Sequence, residues 1–222
     1  MAQATSQETN LWLAQALFEL GGLSFGSFTI GRTTVDSPVY VNPRVLISNP
    51  EVLRRVARLI DREVQASMTR KRDPIEPFDL VAGVPMGGLH LATAYSLITN
   101  TPMIYVRPSG GSSPAAANGH GIEGRFTPGQ RVLLVDDLIT TGGSVLQTSQ
   151  TLEDAGLVVR DAVVLIDREQ GGADRLRHHR YTLLPIITLR AMLTYYVNTG
   201  RVDEEEFDRC ISYLEQHRHD VE

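Results

Sequence analysis

Three segments of this chain share one pattern, and it restricts the fold more than anything else in the sequence. FDLVAGVPMGG (78–88), RVLLVDDLITTGG (131–143) and VVRDAVVLIDREQGG (158–172) each drive a short apolar run into a core and end in paired glycines. Each glycine pair opens a segment with helical spacing: GGLHLATAYSLIT, GGSVLQTSQTLEDAG and GGADRLRHH. MIYVR (103–107) and YTLLPIIT (181–188) read as further strands. Short apolar runs alternating with helices require a parallel sheet covered on both faces. The expected class is therefore α/β, with a central, mainly parallel sheet of about five strands flanked by helices.

Upstream of Phe78 the pattern differs. NLWLAQALFELGG reads as a helix stopped at Gly21-Gly22, and FGSFTIGRTTVDSPVYVN as a hairpin around Gly31-Arg32. SNPEVLRRVARLIDREVQASM reads as a helix, with Ser48 or Asn49 as its N-cap, Pro50 in its first turn and Glu51 at its positive end. TRKRDPIEP is a charged linker, and VDEEEFDRCISYLEQHR an amphipathic helix. The expected organisation is one domain over residues 1–222. Residues 1–47 form an N-terminal helix and a small hood hairpin, 48–200 the α/β core, and 201–222 a C-terminal helix.

Composition removes several alternatives. The chain is 42% hydrophobic and 21% charged, ordinary for a soluble domain of 222 residues. No apolar run approaches the roughly 18 residues of a membrane span. The opening MAQATSQETN lacks the basic and apolar regions of a secretory signal. A single cysteine, Cys210, permits no internal disulfide, and the expected compartment is cytoplasmic. A net charge of −5 argues against nucleic acid as a partner. Lys71 is the only lysine beside 20 arginines, so a step needing a compact ammonium has one candidate. Cys210 lies in the C-terminal helix and reads as a core or surface cysteine rather than a nucleophile. His178-His179 point about 100° apart on a helix and read as a solvated face rather than a metal site.

The strand ends carry the chemistry, since ligands of open parallel sheets bind there. Gly142 and Gly143 let the backbone approach a ligand, while Thr140, Thr141 and Ser144 add hydroxyl donors. With the free amides of the following helix start, they form a phosphate cradle. It is not a Walker loop, whose lysine and spacing are missing. Asp136 and Asp137 would repel a phosphate, so they suit another part of the ligand. Two acceptors fit a cis-diol, and phosphate plus diol describes a ribose 5-phosphate site. The alternative is an aspartate pair that binds magnesium while the glycines only turn the chain.

VLLVDDLITTGGS resembles the phosphoribosyl pyrophosphate motif of type I phosphoribosyltransferases. FGSFTIGRTTVDSPVYVN, FDLVAGVPMGGLHLAT, PMIYVR, GIEG…PGQ and LIDREQGG follow in the order of the orotate phosphoribosyltransferase family, most like the transferase half of UMP synthase. The resemblance covers roughly residues 17 to 217 and implies the type I phosphoribosyltransferase fold. It also implies transfer of phosphoribosyl from phosphoribosyl pyrophosphate to orotate with magnesium, in a homodimer. On this resemblance Asp136 and Asp137 face the ribose hydroxyls and meet magnesium through the ligand. Leu138, Ile139, Thr140, Thr141, Gly142, Gly143 and Ser144 border the phosphoribosyl group. Met86, Gly87, Arg107 and His120 lie towards pyrophosphate, while Tyr40, Val41, Thr140 and Arg168 lie towards orotate. For Arg168 the other reading is a rim arginine paired with Glu169.

Two stretches depart from the family. Where the family has a lysine turn, this chain reads TIGR, leaving Arg32. Where it has a lysine-bearing lid, this chain reads RPSGGSSPAAANGHGIEG, with Arg107, His120 and Arg125 as the remaining cationic or titratable side chains and a mobile loop expected over 108–121. The missing lysines keep two alternatives open: a phosphoribosyltransferase for another base, and a weak or non-enzymatic binder of phosphoribosyl pyrophosphate or a nucleotide.

Overall fold

A computed structural model of the chain describes residues 10–30, 34–108 and 121–218. The elements before the sheet are α1 (Leu11–Glu19), β1 (Leu23–Ile30), β2 (Thr34–Val41), a 3-10 helix (Pro43–Ser48) and α2 (Pro50–Met68). The sheet region follows as β3 (Leu80–Gly83), α3 (Gly87–Thr99), β4 (Met103–Val106), β5 (Ile122–Glu123), β6 (Arg131–Ile139), α4 (Gly143–Asp154), β7 (Val158–Asp167), α5 (Gly172–His178) and β8 (Thr182–Thr188). Two helices, α6 (Leu189–Asn198) and α7 (Glu204–Gln216), close the chain.

The strand order is β5-β4-β3-β6-β7-β8. Five strands run parallel, as the alternation predicts, and β5 adds a sixth, antiparallel to β4. The parallel set matches the expected count of about five, and β5 brings the sheet to six strands among the described residues. Two residues are too few for periodicity to announce a strand; β5 exists because Tyr105 and Val106 offer it an edge.

The central strands bury both faces by simple alternation. Leu133, Val135, Val163 and Leu165 point into a cluster shared with α1, α2, α3, α6 and α7. Val132, Leu134, Ala162 and Val164 point the other way, against Val145, Leu152 and Leu176 from α4 and α5. A period of two on both faces produces the continuous apolar runs seen in the sequence.

The N-terminal helix belongs to this core rather than to a hood. Tyr196 Oη donates to Ala14 O at 2.7 Å, and Asn10 Nδ2 to Ile186 O at 3.2 Å. What stands apart is the β1–β2 hairpin, a separate two-stranded antiparallel sheet. Tyr213 Oη on α7 donates to Val35 O at 3.0 Å and tethers it. Its predicted turn at Gly31-Arg32 lies outside the described residues.

The helix starts follow local chemistry. Asn49, not Ser48, caps α2, its side chain accepting from Val52 N at 3.1 Å. Thr188 caps α6 by accepting from Ala191 N at 3.2 Å. Cys210 is fully buried on α7, and burial pushes its thiol up to about 12, in line with a packing role.

Candidate active site

Strand order reverses between β3 and β6: β4 and β5 lie beyond β3, while β7 and β8 lie beyond β6. In open α/β sheets such a switch point leaves a crevice at the strands' carboxyl ends. Two of the three glycine motifs leave the sheet there, and the third leaves from neighbouring β7.

Strand β6 does not end at its aspartates. It continues to Ile139, because β7 runs beside it and pairs Leu138 with Ile166 and Ile139 with Asp167. Asp136 and Asp137 therefore sit near the carboxyl end of the strand, with their carboxyls close enough to interact. Asp136 is 6% exposed, and its Oδ1 accepts from Asp137 N at 2.8 Å. Burial pushes its carboxyl well above the usual range, and the charge of Asp137 adds to the effect. Burial raises Asp137 too, but the hydrogen bond with Asp136, the nearby His90 and Arg44, and the Leu138 amide all oppose it. The pair thus favours carrying less than two full negative charges, which eases the approach of an anionic ligand.

Glycine explains how the motifs interlock. A Cβ on Gly87 would fall on the Asp137 carboxyl, and one on Gly88 would fall on Val135 O. A Cβ on Gly172 would stand 2.5 Å from Thr140 O, which instead accepts from Gly172 N at 2.9 Å. Ile139 O accepts from Arg168 N at 3.0 Å. The loop after β6 is held by the glycine motif on either side.

That loop, 140–142, leads into α4. Gly142 takes φ 77° immediately before the helix, a conformation natural to glycine. The first-turn amides of α4 have no intrahelical acceptor, and Gly143 and Ser144 are exposed. Thr140 and Thr141 are half-buried beside them. Asp136, Asp137 and the 138–144 segment are thus brought together as one continuous lining, with Gly87 against it. Met86 lies at the same rim, exposed, joined to Pro85 by a cis peptide.

On the opposite flank, Arg168 is 2% exposed and is not a rim residue. Its Nη2 donates to Ser37 Oγ of the hairpin at 2.9 Å, and its Nε has no hydrogen-bond partner among the described residues. Glu169 engages Arg190 instead, accepting from its backbone N at 3.3 Å. The alternative Arg168–Glu169 rim pair is thereby excluded. Gln170 in the same loop is fully buried, with neither amide atom partnered among the described residues. Tyr40 is half-buried against Phe28, ring centroids 5.7 Å apart. Val41 packs into the core, so its side chain is not offered to a ligand and only its backbone remains.

Not every expected residue joins this constellation. Arg107 is half-buried, its Nε 3.3 Å from Glu123 Oε1. Arg125 is exposed after β5. His120 and Arg32 lie outside the described residues, as does most of the 108–121 segment. Conversely, sequence reasoning missed Arg44, His90, Ser37 and Arg175. The His90 Nε2 is buried with no hydrogen-bond partner among the described residues, and burial lowers its pKa against the pull of Asp137. Its only sequence signal was its place three residues after Gly87 on a helix, which puts both on one face.

A cavity of about 800 Å³ lined by Arg70, Arg72, Arg177 and Arg180 opens instead at the amino end of β8. There the arginines complement the C-terminal ends of α2 and α5. Among the described residues, no three His, Cys, Asp or Glu side chains cluster to cage a metal ion, and no helix is long and apolar enough to cross a membrane.

Comparison with known proteins matches residues 46–188 to the Phosphoribosyl transferase domain. The chain is 34% identical over 192 residues to the orotate phosphoribosyltransferase of Chlamydia caviae, covering 86% of this chain and 87% of that one. It is 31% identical over 204 residues to the uridine 5'-monophosphate synthase of Bos taurus, covering 92% of this chain but 40% of that protein. The UMP synthase structure of Leishmania donovani superposes with a TM-score of 0.80 at 29% identity, over 93% of this chain and 42% of that one.

Proposed function

The chain belongs to the orotate phosphoribosyltransferases of the phosphoribosyl transferase family, and from that premise we propose that it joins orotate to phosphoribosyl pyrophosphate, releasing pyrophosphate and orotidine 5'-monophosphate in UMP biosynthesis. One observation carries the reading. An aspartate pair at the end of β6 runs without interruption into an amide-rich helix start, with Gly87 seated on Asp137.

The mechanism follows from what each part offers. The amides and hydroxyls of 140–144 would hold the 5-phosphate, and Asp136 and Asp137 would accept from the ribose hydroxyls. Ribose is then fixed at two points and its anomeric carbon is presented to the base, which is catalysis by positioning. As the bond to pyrophosphate breaks, the ring gains oxocarbenium character, and carboxylates beside it favour that positive charge. Arg168, with unspent donors on its guanidinium, would take the planar carboxylate of orotate. Tyr40 and the Val41 backbone would border the base. Met86 and Gly87 would border the leaving pyrophosphate, while for Arg107 and His120 that role rests on the family resemblance alone.

Magnesium fits the donors present, hard carboxylate oxygens that would meet it through ligand and water oxygens rather than in a protein cage. When bound it would neutralise charge on the leaving pyrophosphate. A cytoplasmic homodimer is part of the same proposal; light scattering that returns a monomer at micromolar concentration removes the dimer.

A second reading, a binder with little turnover, draws support from one fact: Lys71 lies exposed in the linker before β3, at the opposite end of the sheet from the aspartates. An absorbance assay with orotate, magnesium and phosphoribosyl pyrophosphate separates the two. We expect turnover with the wild type and a loss of about 100-fold in kcat/KM for Asp137→Asn with the fold intact. Tight phosphoribosyl pyrophosphate binding without turnover on any base would establish the second reading.

A further inference from the structure

We propose that Arg175 is a phosphate-binding residue of this site: among the described residues, its guanidinium supplies positive charge at the 5-phosphate cradle. The inference rests on the reading of 140–144 as that cradle.

Three observations place the group there. Arg175 Nη1 donates to Thr141 O at 3.3 Å, inside the loop itself. Gly143 opens α4, and the space where its Cβ would stand contains a single heavy atom within 4 Å, Arg175 Nη1 at 3.9 Å. The guanidinium therefore borders the open side of the helix start. Helix α5 is docked on the same loop through Gly172 N to Thr140 O at 2.9 Å, three residues before Arg175, so the position of the arginine is fixed from its own backbone.

Its charge is also unspent. Asp174 serves Arg177 at 2.8 Å and Arg218 at 3.3 Å, while Arg175 has no carboxylate partner among the described residues. A guanidinium carries five N–H donors, and Thr141 O takes one. The remainder form a fork suited to two phosphate oxygens. Amides and a helix dipole contribute partial charges, but a phosphate dianion gains more from a full cation at hydrogen-bond distance. The plain alternative is that Arg175 only braces the Thr141 carbonyl.

The test is calorimetric titration of ribose 5-phosphate into the full-length protein, combined with the 31P shift of the bound phosphate against pH. Arg175 is exposed, so substitution leaves the fold intact, which circular dichroism checks. We expect Arg175→Gln to weaken ribose 5-phosphate by about 10–100-fold, the range for a hydrogen bond to a charged group. Arg175→Lys should keep part of that affinity. The bound phosphate should titrate at lower pH in the wild type than in Arg175→Gln, because a neighbouring cation favours the dianion. In turnover, KM for phosphoribosyl pyrophosphate should rise while KM for orotate stays level.

Equal affinity and identical 31P titration in wild type and Arg175→Gln would overturn the proposal and leave the cradle standing. Equal losses for Gln and Lys with an unmoved 31P titration would overturn it in favour of the brace. A wild type that binds no ribose 5-phosphate would remove both the cradle reading and the proposal.

Discussion

The two flanks of the site are made of different material. On the proposed phosphate flank the shape is written in main chain: glycines 87, 88 and 172 admit a carboxylate or a carbonyl where any side chain would collide. On the base flank it is written in side chains, Arg168 and Ser37, which meet across the gap between the core and a separate hairpin. The first flank is rigid because altering it means moving strands. The second depends on few groups, and some of its polar atoms are buried with no partner among the described residues. A fold built this way can keep one phosphoribosyl donor while its base pocket is retuned.

The sharpest way to break that contrast is Gly88→Ala. The added methyl would fall on Val135 O, which is backbone and also accepts from Val84 N at 2.9 Å. We expect a loss of about 3 kcal/mol or more, seen as a fall in Tm of roughly 6–12 °C. Gly143→Ala, with only the Arg175 guanidinium nearby, should fold almost as well as the wild type. If Gly88→Ala melts normally, the phosphate flank is not the rigid one.

Ser37→Ala probes the other flank. It removes the hydroxyl that accepts from Arg168 Nη2 and leaves a buried guanidinium with another unpaired donor. The expected loss is about 1–3 kcal/mol in the free protein. Orotate should restore part of it by pairing the arginine, and KM should change for orotate rather than for phosphoribosyl pyrophosphate. A mutant whose Tm is insensitive to orotate, or whose two KM values shift equally, would undo the division into flanks.

The smallest effect lies just behind the site, at Asp167. Burial lifts its carboxyl from 3.8 to about 6, with Glu169 and Asp174 adding repulsion against the pull of the Glu169 amide. A raised carboxylate pKa means the ionised form is penalised in the folded state. The penalty is full above about pH 6, shrinks as pH falls below that, and vanishes only below the unfolded value of 3.8, where folded and unfolded chains are both protonated. Asp167→Asn keeps an acceptor for Glu169 N and loses the charge. It should gain about 1 kcal/mol at pH 7.5 and a small fraction of that at pH 4, by thermal melts at both. Stabilisation at pH 4 equal to that at pH 7.5 would contradict the assigned cause.

The same division explains what the sequence made legible. The alternation of buried runs and helices, the glycine junctions and the Asp-Asp-to-Gly-Gly segment are local signals, and they located the sheet and the segment proposed as the phosphate flank. Helix α6 stayed hidden because it follows β8 without a turn, so TLLPIITLRAMLTYYVN reads as one apolar stretch in which the change of period is masked. The 3-10 helix of 43–48 was hidden for a similar reason, since two short elements abut with no break. Arg44 and His90 reach Asp137, and Arg175 reaches Thr141, from segments that only the tertiary fold brings there. Arg168 was visible as a residue but not as a buried one, because its burial comes from a hairpin 131 residues away.

The short strand β5 has a consequence for how such a chain diversifies. Arg107 N donates to Gly121 O at 2.8 Å, and Val106 pairs with Ile122, so the residues between are an excursion whose two ends are clasped at the sheet edge. Closing a clasped excursion carries an entropic penalty that grows only with the logarithm of its length, about 0.6 kcal/mol per doubling. A change in the length of chain between the two clasped ends therefore costs the folding equilibrium little. At Gly87, Gly88 and Gly172, by contrast, the fold has no room for even one added methyl group.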